Sequence, residues 1–184
     1  MMIDVKGHYE THDRWPLKIT KLEPGDSRAF DATPGTYYVM LQQASYYSDN
    51  IKFENVNGAF AVNGHFTIKC NKGTAAVVEY LGLHLLESRY YVQDQLDQGN
   101  LSYMDGGTNT TAVNPGRLGD PVINYVHFPA GMYQTLHTHP SHRVGMVLKG
   151  IGKIELGHRP HRRSQSIKNT YLCWSAKICK INDC

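Results

Sequence analysis

Between residues 17 and 81 the apolar and polar positions alternate over short stretches and form no long stripe of helical period. LKITKL, from Leu17, alternates loosely; Pro24-Gly25-Asp26 marks a turn; YYVMLQQ, from Tyr37, is rich in β-forming side chains. Two Asn-Gly pairs, Asn57-Gly58 and Asn63-Gly64, bracket AFAV. Such pairs favour the type I′ turns that join adjacent antiparallel strands, so a turn is predicted at each. HFTIKC then leads through Asn71-Lys72-Gly73 into TAAVVEYLG, which reads as a further hairpin. Short strands at close spacing predict an antiparallel sandwich or barrel.

The pattern changes at residues 83–99, where Leu83, Leu85 and Leu86 with Tyr90 predict the start of a helix. GNLSYMDGGTNTTAVNPGRLGDP follows, dense in Gly, Asn, Thr and Pro, and reads as a long loop joining two halves. Alternation resumes in VINYVHF, where Ile123, Tyr125 and His127 share a face, and again in VGMVL and IGKIEL. Residues 1–15 are polar and without period, so His8 and His12 read as exposed residues of an arm.

A chain of 184 residues can hold one domain with a sizeable core or two small ones. The formal charge of +3 is unevenly spread: residues 157–184 carry six of the 19 Lys+Arg and one of the 16 Asp+Glu. The rest therefore has 13 basic and 15 acidic side chains, a net of −2. The basic cluster His158, Arg159, His161, Arg162 and Arg163 lacks interleaved aromatics, which disfavours nucleic acid as a partner. No apolar run approaches membrane-spanning length and the first residues do not read as a signal peptide. The expected setting is cytoplasmic and reducing, without membrane contact and with the four cysteines as free thiols.

Chemistry concentrates in GMYQTLHTHPSHRVGMVLKG, residues 131–150. On an extended strand His137 and His139 point to the same side, so both imidazoles can reach one metal ion. Pro140 offers no N–H and ends the strand. Further ligands are sought in His142, at the turn, and His127, on the preceding strand. Structural and catalytic metal sites take three or four protein ligands, so the pair alone would bind weakly.

The spacing resembles the first signature motif of the cupins, G-x5-H-x-H-x(3,4)-E-x6-G. Gly131, His137, His139 and Gly150 fit it, whereas the glutamate position holds Arg143, or Val144 with the longer spacing. A guanidinium repels a cation but can hold a carboxylate or phosphate in its planar fork. The second cupin motif, with its last histidine, is not found. The resemblance implies an all-β jelly-roll, or double-stranded β-helix, barrel. LEPGDSRAFDATPGTYYVMLQ and FPAGMYQTLHTHPSHRVGMVLKG run in parallel, which suggests two degenerate repeats, a bicupin. The expected organisation is a half without metal ligands at 1–99, a half carrying the histidine motif at 100–156, and a basic Cys-containing tail at 157–184 that either completes or truncates the second barrel.

The expected function follows. One expectation is a cupin-like protein that binds a divalent transition metal (Fe, Zn, Ni or Mn) through His137, His139 and His142, a small polar ligand, or both, in the manner of a metal-dependent oxygenase or isomerase. The other is a non-catalytic small-anion binder or structural cupin, with Arg143, His127 and Tyr125 as ligand-binding residues. Fold alone does not decide whether such a barrel is an enzyme. The expected partners are a small molecule and, as an open alternative, a second copy of the chain in a homodimer.

Overall fold

The computed structural model describes residues 2–4, 7–10, 16–81, 84–85, 87–93, 98–135, 137, 142–158, 161–167 and 171–173, with side chains only between 7 and 153. The chain is nearly all strand: β1 (Met2–Asp4), β2 (His8–Glu10), β3 (Leu17–Leu22), β4 (Ser27–Phe30), β5 (Thr36–Tyr47), β6 (Lys52–Val62), β7 (Phe66–Lys69) and β8 (Thr74–Tyr80). It continues as β9 (Arg89–Gln93), β10 (Leu101–Ser102), a short 3-10 turn (Met104–Gly106), β11 (Thr108–Val113), β12 (Ile123–His127), β13 (Arg143–Gly145), β14 (Gly152–His158), β15 (His161–Ile167) and β16 (Tyr171–Cys173). Two compact units result. The first comprises Lys6–Leu96 and Thr111–Asn124; the second comprises Met1–Val5, Asp97–Thr110 and Tyr125–Cys184. No helix among the described residues is long and apolar enough to cross a membrane.

The first unit is organised by β5. Along one edge β5 pairs with β6 over its whole length, joined to it by a tight turn in which Ser48 N–H donates to the Ile51 carbonyl at 2.9 Å. Along the other edge its first half pairs with β8 and its last three residues with β7. The change of partner falls where Gln43 (φ 47°) and, across in β6, Asn55 (φ 51°) adopt left-handed backbone and the register slips. An extra residue of this kind bends a strand and increases its twist. The sheet thus runs β2-β3-β8-β5-β6-β9, with β4 and β7 attached at the bent end of β5.

Burial of alternate side chains from these strands makes the core. Tyr46, Phe60, Val39, Leu41, Ile68 and Val62 are fully buried. Tyr46 sits amid Phe60, Phe66 and Tyr90 at ring-centroid separations of 5.1, 5.3 and 5.8 Å. Edge-to-face rings at such distances add about 0.5–1.5 kcal/mol per pair beyond the area they bury. Burial, then the hydrogen bond with Tyr90, pushes the Tyr46 phenol well above its ordinary range. Cys70, a buried free thiol at the end of β7, is pushed up to about 11 by burial.

Several local expectations are met and several overturned. Pro24-Gly25-Asp26 is a turn: Asp26 N–H donates to the Glu23 carbonyl at 3.0 Å, and Gly25 supplies φ 98°. Asn57-Gly58 is not a turn but lies inside β6. There Asn57 Oδ1 accepts from the Gln43 N–H at 3.2 Å, and the Phe60 ring covers Gly58, whose added Cβ would lie 3.0 Å from it. Asn63-Gly64 and Asn71-Lys72-Gly73 do end strands, yet β6, β7 and β8 do not pair in succession as hairpins. The helix expected from Leu83 is absent among the described residues. Leu85 is buried with its N–H donating to Thr36 Oγ1 at 3.1 Å and its carbonyl accepting from Asn63 Nδ2, so neither group is available to a helix. Arg89–Gln93 then forms a strand against β6, register Asn57↔Gln93 to Ala61↔Arg89. The stretch read as a loop after Gly99 likewise holds β10 and β11; its β-branched TNTTAV run favours a strand.

The second unit contains a β10-β11-β12 sheet, a β14–β15 hairpin and a β1-β16-β13 sheet, β11 and β12 being strands along which the chain passes between units. The basic segment forms the end of β14 and the start of β15, paired from Gly152↔Ile167 to His158↔His161. Tyr171–Cys173 is the central strand of its sheet, paired with β1 on one side and β13 on the other.

Gly73 tests the packing at the bend of β5. A Cβ there would lie 1.8 Å from the Gln42 carbonyl oxygen and 2.4 Å from that of Gln43. Gly73→Ala should therefore cost about 1–3 kcal/mol in urea unfolding, well above an ordinary surface substitution. A change within about 0.5 kcal/mol would mean that the turn does not rest on β5.

Candidate functional site

The residues singled out by the cupin-like stretch lie in the second unit. In β12 the burial pattern alternates: Tyr125 and His127 are half-buried, Asn124 and Val126 exposed, as the sequence alternation predicts. His127 Nδ1 is fully buried and has no hydrogen-bond partner among the described residues. Two other second-unit atoms share that condition: Asn109 Oδ1, on β11 beside β12, and Gln134 Nε2. Buried polar atoms in folded proteins are almost always hydrogen-bonded to protein or ordered water, so three of them without partners among the described residues mark where water or a ligand would enter.

The elements that carry these atoms pack on one another at Gly107, a buried residue. A Cβ on Gly107 would lie 3.3 Å from the His127 carbonyl oxygen and 3.4 Å from both Met132 and Phe128. Beyond Gly131 the chain alternates, with Met132 and Gln134 buried and Tyr133 and Thr135 exposed. Gln134 therefore takes an inward position next to a packed methionine.

His137 is half-buried, and its Nδ1 lies 2.8 Å from the Thr135 carbonyl oxygen. A carbonyl can only accept, so Nδ1 carries the proton, and the neutral ring has its lone pair on Nε2. Thr135 is itself held from the other side. Its N–H and its hydroxyl both donate to Asp105 Oδ2, at 2.7 and 2.9 Å. Asp105 sits in the tight turn closed by Tyr103 N–H to the Gly107 carbonyl at 2.8 Å, with left-handed backbone at Asp105 (φ 58°) and Gly106 (φ 87°). The backbone bond from Thr135, then its hydroxyl bond and the nearby His137, hold the Asp105 carboxyl below the usual carboxylate range.

His142 is half-buried ahead of β13. Arg143, first residue of β13, is exposed and stands opposite Cys173 in the pairing with β16. His139 lies outside the described residues. Among the described residues no three His, Cys, Asp or Glu side chains come together to hold a metal ion. Asp105, Asn109 and Gln134 escaped the sequence reading. Amides and an aspartate in Gly-, Asn- and Thr-rich stretches look like turn chemistry; only the alternation of Met132 with Gln134 could have drawn notice.

No protein-family model matches the chain, and no curated protein does. Among solved structures it is similar to an IolB-like protein from Salmonella typhimurium, at 12% identity and a TM-score of 0.61, over 96% of this chain and 83% of that one. It is also similar to vicilin from hazelnut (Corylus avellana), at 8% identity and a TM-score of 0.55, over 92% and 71%. A cupin 2 conserved barrel domain protein from Leptotrichia buccalis aligns at 14% identity and a TM-score of 0.50, over 97% and 89%. At such identities the likeness is one of fold: the chain adopts the all-β jelly-roll fold of the cupins.

Proposed function

We propose that this protein is a cupin-fold binder of a small, neutral, polar molecule, taken up in the second unit by His127, Asn109 and Gln134. The observation that carries the reading is the trio of buried atoms without partners, His127 Nδ1, Asn109 Oδ1 and Gln134 Nε2. Together they offer an acceptor (Asn109 Oδ1), a donor (Gln134 Nε2) and an imidazole nitrogen that serves as either. None needs a charge on the ligand, so hydroxyl groups, which donate and accept, are the complementary chemistry. Tyr125, on the same face of β12 as His127, adds an aromatic wall.

A second reading keeps the metal, because the Nδ1–H bond to Thr135 leaves a lone pair on His137 Nε2. Its donors would be His137 and His139, with His142 or His127 joining them. A metal held there would supply a Lewis acid for an oxygenated ligand. The described residues do not assemble such a set, and Arg143 stands where the motif has its acid. The anion-binding role foreseen for Arg143 draws no support from its exposure. Neither reading requires catalysis.

Gln134→Met separates ligand binding from structure. It removes the buried unpaired donor at nearly constant volume, so the ligand-free protein should gain about 1–3 kcal/mol. Thermal shifts produced by sorbitol, D-ribose or D-glucose should fall at least about tenfold in apparent affinity in Gln134→Met and in His127→Ala. If Gln134→Met destabilises the free protein, the amide is satisfied from within and the reading fails.

Metal binding is checked with Mn(II), Fe(II), Ni(II) and Zn(II) alone. On the second reading they raise Tm as the free ion's concentration rises. His137→Ala should abolish the rise, and wild type without any rise removes the metal from consideration.

The Asp105 bond to Thr135 has its own pH signature. Because the folded carboxyl titrates below its unfolded value of about 3.9, its contribution is present above that pH and is lost as pH falls through the lower, folded value. The Thr135 amide proton should shift with a midpoint below about 3.9, and Asp105→Asn should abolish the transition.

A further inference from the structure

The first unit contains a cavity of about 360 Å³ whose walls come from β2, β3, β8 and β5 on one side and β4 on the other. Its position follows from the register. One row of side chains across these strands, Leu22–Ala75–Leu41, is apolar and belongs to the core. Four residues along β3 and β8 on the same face, the row has become Glu10–Lys18–Glu79–Tyr37. One face of a continuous sheet thus grades from hydrocarbon to charge. A solvated strand end would not need a cavity there, and a core would not carry four ionisable groups.

Charges of both signs line the cavity: Glu10, Asp31 and Glu79 on the one hand, Lys18 and Arg28 on the other. Glu79 is mostly buried; it accepts from Thr33 Oγ1 at 2.6 Å and has Lys18 Nζ at 3.9 Å. Glu10 lies 3.1 Å from His8 Nε2, whose Nδ1 is bonded to Thr20 Oγ1 at 3.2 Å. Across the cavity, Arg28 of β4 lies with its guanidinium 5.5 Å from the centre of the Phe30 ring and has no ion-pair partner among the described residues. A cation laid on an aromatic face keeps its planar donor fork available for a carboxylate. Opposite it stand Glu79 and Glu10 with Lys18 near them, and Asp31, just after β4, adds a third carboxylate to the lining.

The Tyr37 hydroxyl reports that the opposed charges converge. It donates to the Asp31 carbonyl at 2.9 Å. Burial pushes its pKa up to about 12; the charges of Glu79 and Asp31 add to the rise and that of Arg28 opposes it. Both ends of the cavity are therefore within electrostatic reach of one phenol.

We infer that this cavity binds a small zwitterion, an amino acid, with its carboxylate on the Arg28 fork and its ammonium on Glu79 and Glu10. The site is separate from the trio in the second unit and does not depend on it. Its residues belong to the half of the chain that carries no histidine pair of the metal type, and His8, read from sequence as part of an exposed arm, is one of its walls.

The test uses the full chain and probes that differ only in charge. Glycine, β-alanine and 4-aminobutyrate span three charge separations; butyrate carries the anion alone and butylamine the cation alone. In titrations followed by amide shifts of Thr20, Tyr37 and Val77, at least one zwitterion should bind about tenfold more tightly than butyrate and butylamine. Arg28→Ala, an exposed change that spares the core, should weaken the zwitterion about tenfold and leave butylamine unchanged; Glu10→Gln should do the reverse for butyrate. Silence from every zwitterion, or zwitterion binding indifferent to both variants, overturns the inference.

Discussion

The bend of β5 is the constraint on which the first unit depends. Thr36–Tyr47 is hydrogen-bonded along both edges, and it can serve β8 with one half and β7 with the other only by breaking at Gln43. The break is secured from three sides: Asn57 Oδ1 takes the Gln43 N–H, Gly73 lets the β7–β8 turn touch the Gln42 and Gln43 carbonyls, and Tyr46 anchors the far half in the aromatic core. The polar cavity depends on the same bend. β4 is paired into the sheet only through β7, which takes the bent end of β5, so Arg28 and Glu79 line one cavity because the strand turns.

Much of this was legible in the residues, but only where the rule that governs it is local. Alternation located β3 and β12, and richness in β-forming side chains located β5, because both signals are written residue by residue. The turn at Pro24-Gly25-Asp26 was legible because a proline and a positive-φ glycine are needed there. Pairing was not. Asn-Gly pairs announce hairpins, whereas in a jelly roll consecutive strands go to different neighbours, and the choice is made by contacts far apart in sequence. The helix read into residues 83–99 failed for a related reason: Leu85 spends both its backbone groups on Thr36 and Asn63, about 49 and 22 positions away.

The candidate site was legible in outline through its histidines and illegible in its amides. His127 and Tyr125 could be assigned to one face from VINYVHF alone. Asp105 could not be connected with Thr135, 30 residues on, because the connection is made by a turn whose conformation rests on Gly106 and Gly107. Asn109 and Gln134 are ordinary residues by composition. Burial without a hydrogen-bond partner, a property of the fold, is what distinguishes them.

The choice between a neutral ligand and a metal turns on where acid groups stand. A divalent cation bound by imidazoles gains most from a carboxylate in its coordination sphere, and the cupin motif provides one. Here that position holds Arg143 or Val144, and the described carboxylate near His137, Asp105, already has Oδ2 committed to two Thr135 donors. Those bonds favour its ionised state, so Asp105 holds the His137 loop through Thr135 with a negative charge that a cation would otherwise claim. Recruiting Oδ2 as a ligand would break two charge-assisted hydrogen bonds and release the segment that presents His137. Neutral polar atoms incur no such conflict: Asn109 Oδ1, His127 Nδ1 and Gln134 Nε2 have no hydrogen-bond partner among the described residues. The same contrast separates the two proposed sites: the first unit has a cavity lined with opposed charges, whereas the second unit buries uncharged donor and acceptor atoms, so a ligand suited to either is poorly suited to the other.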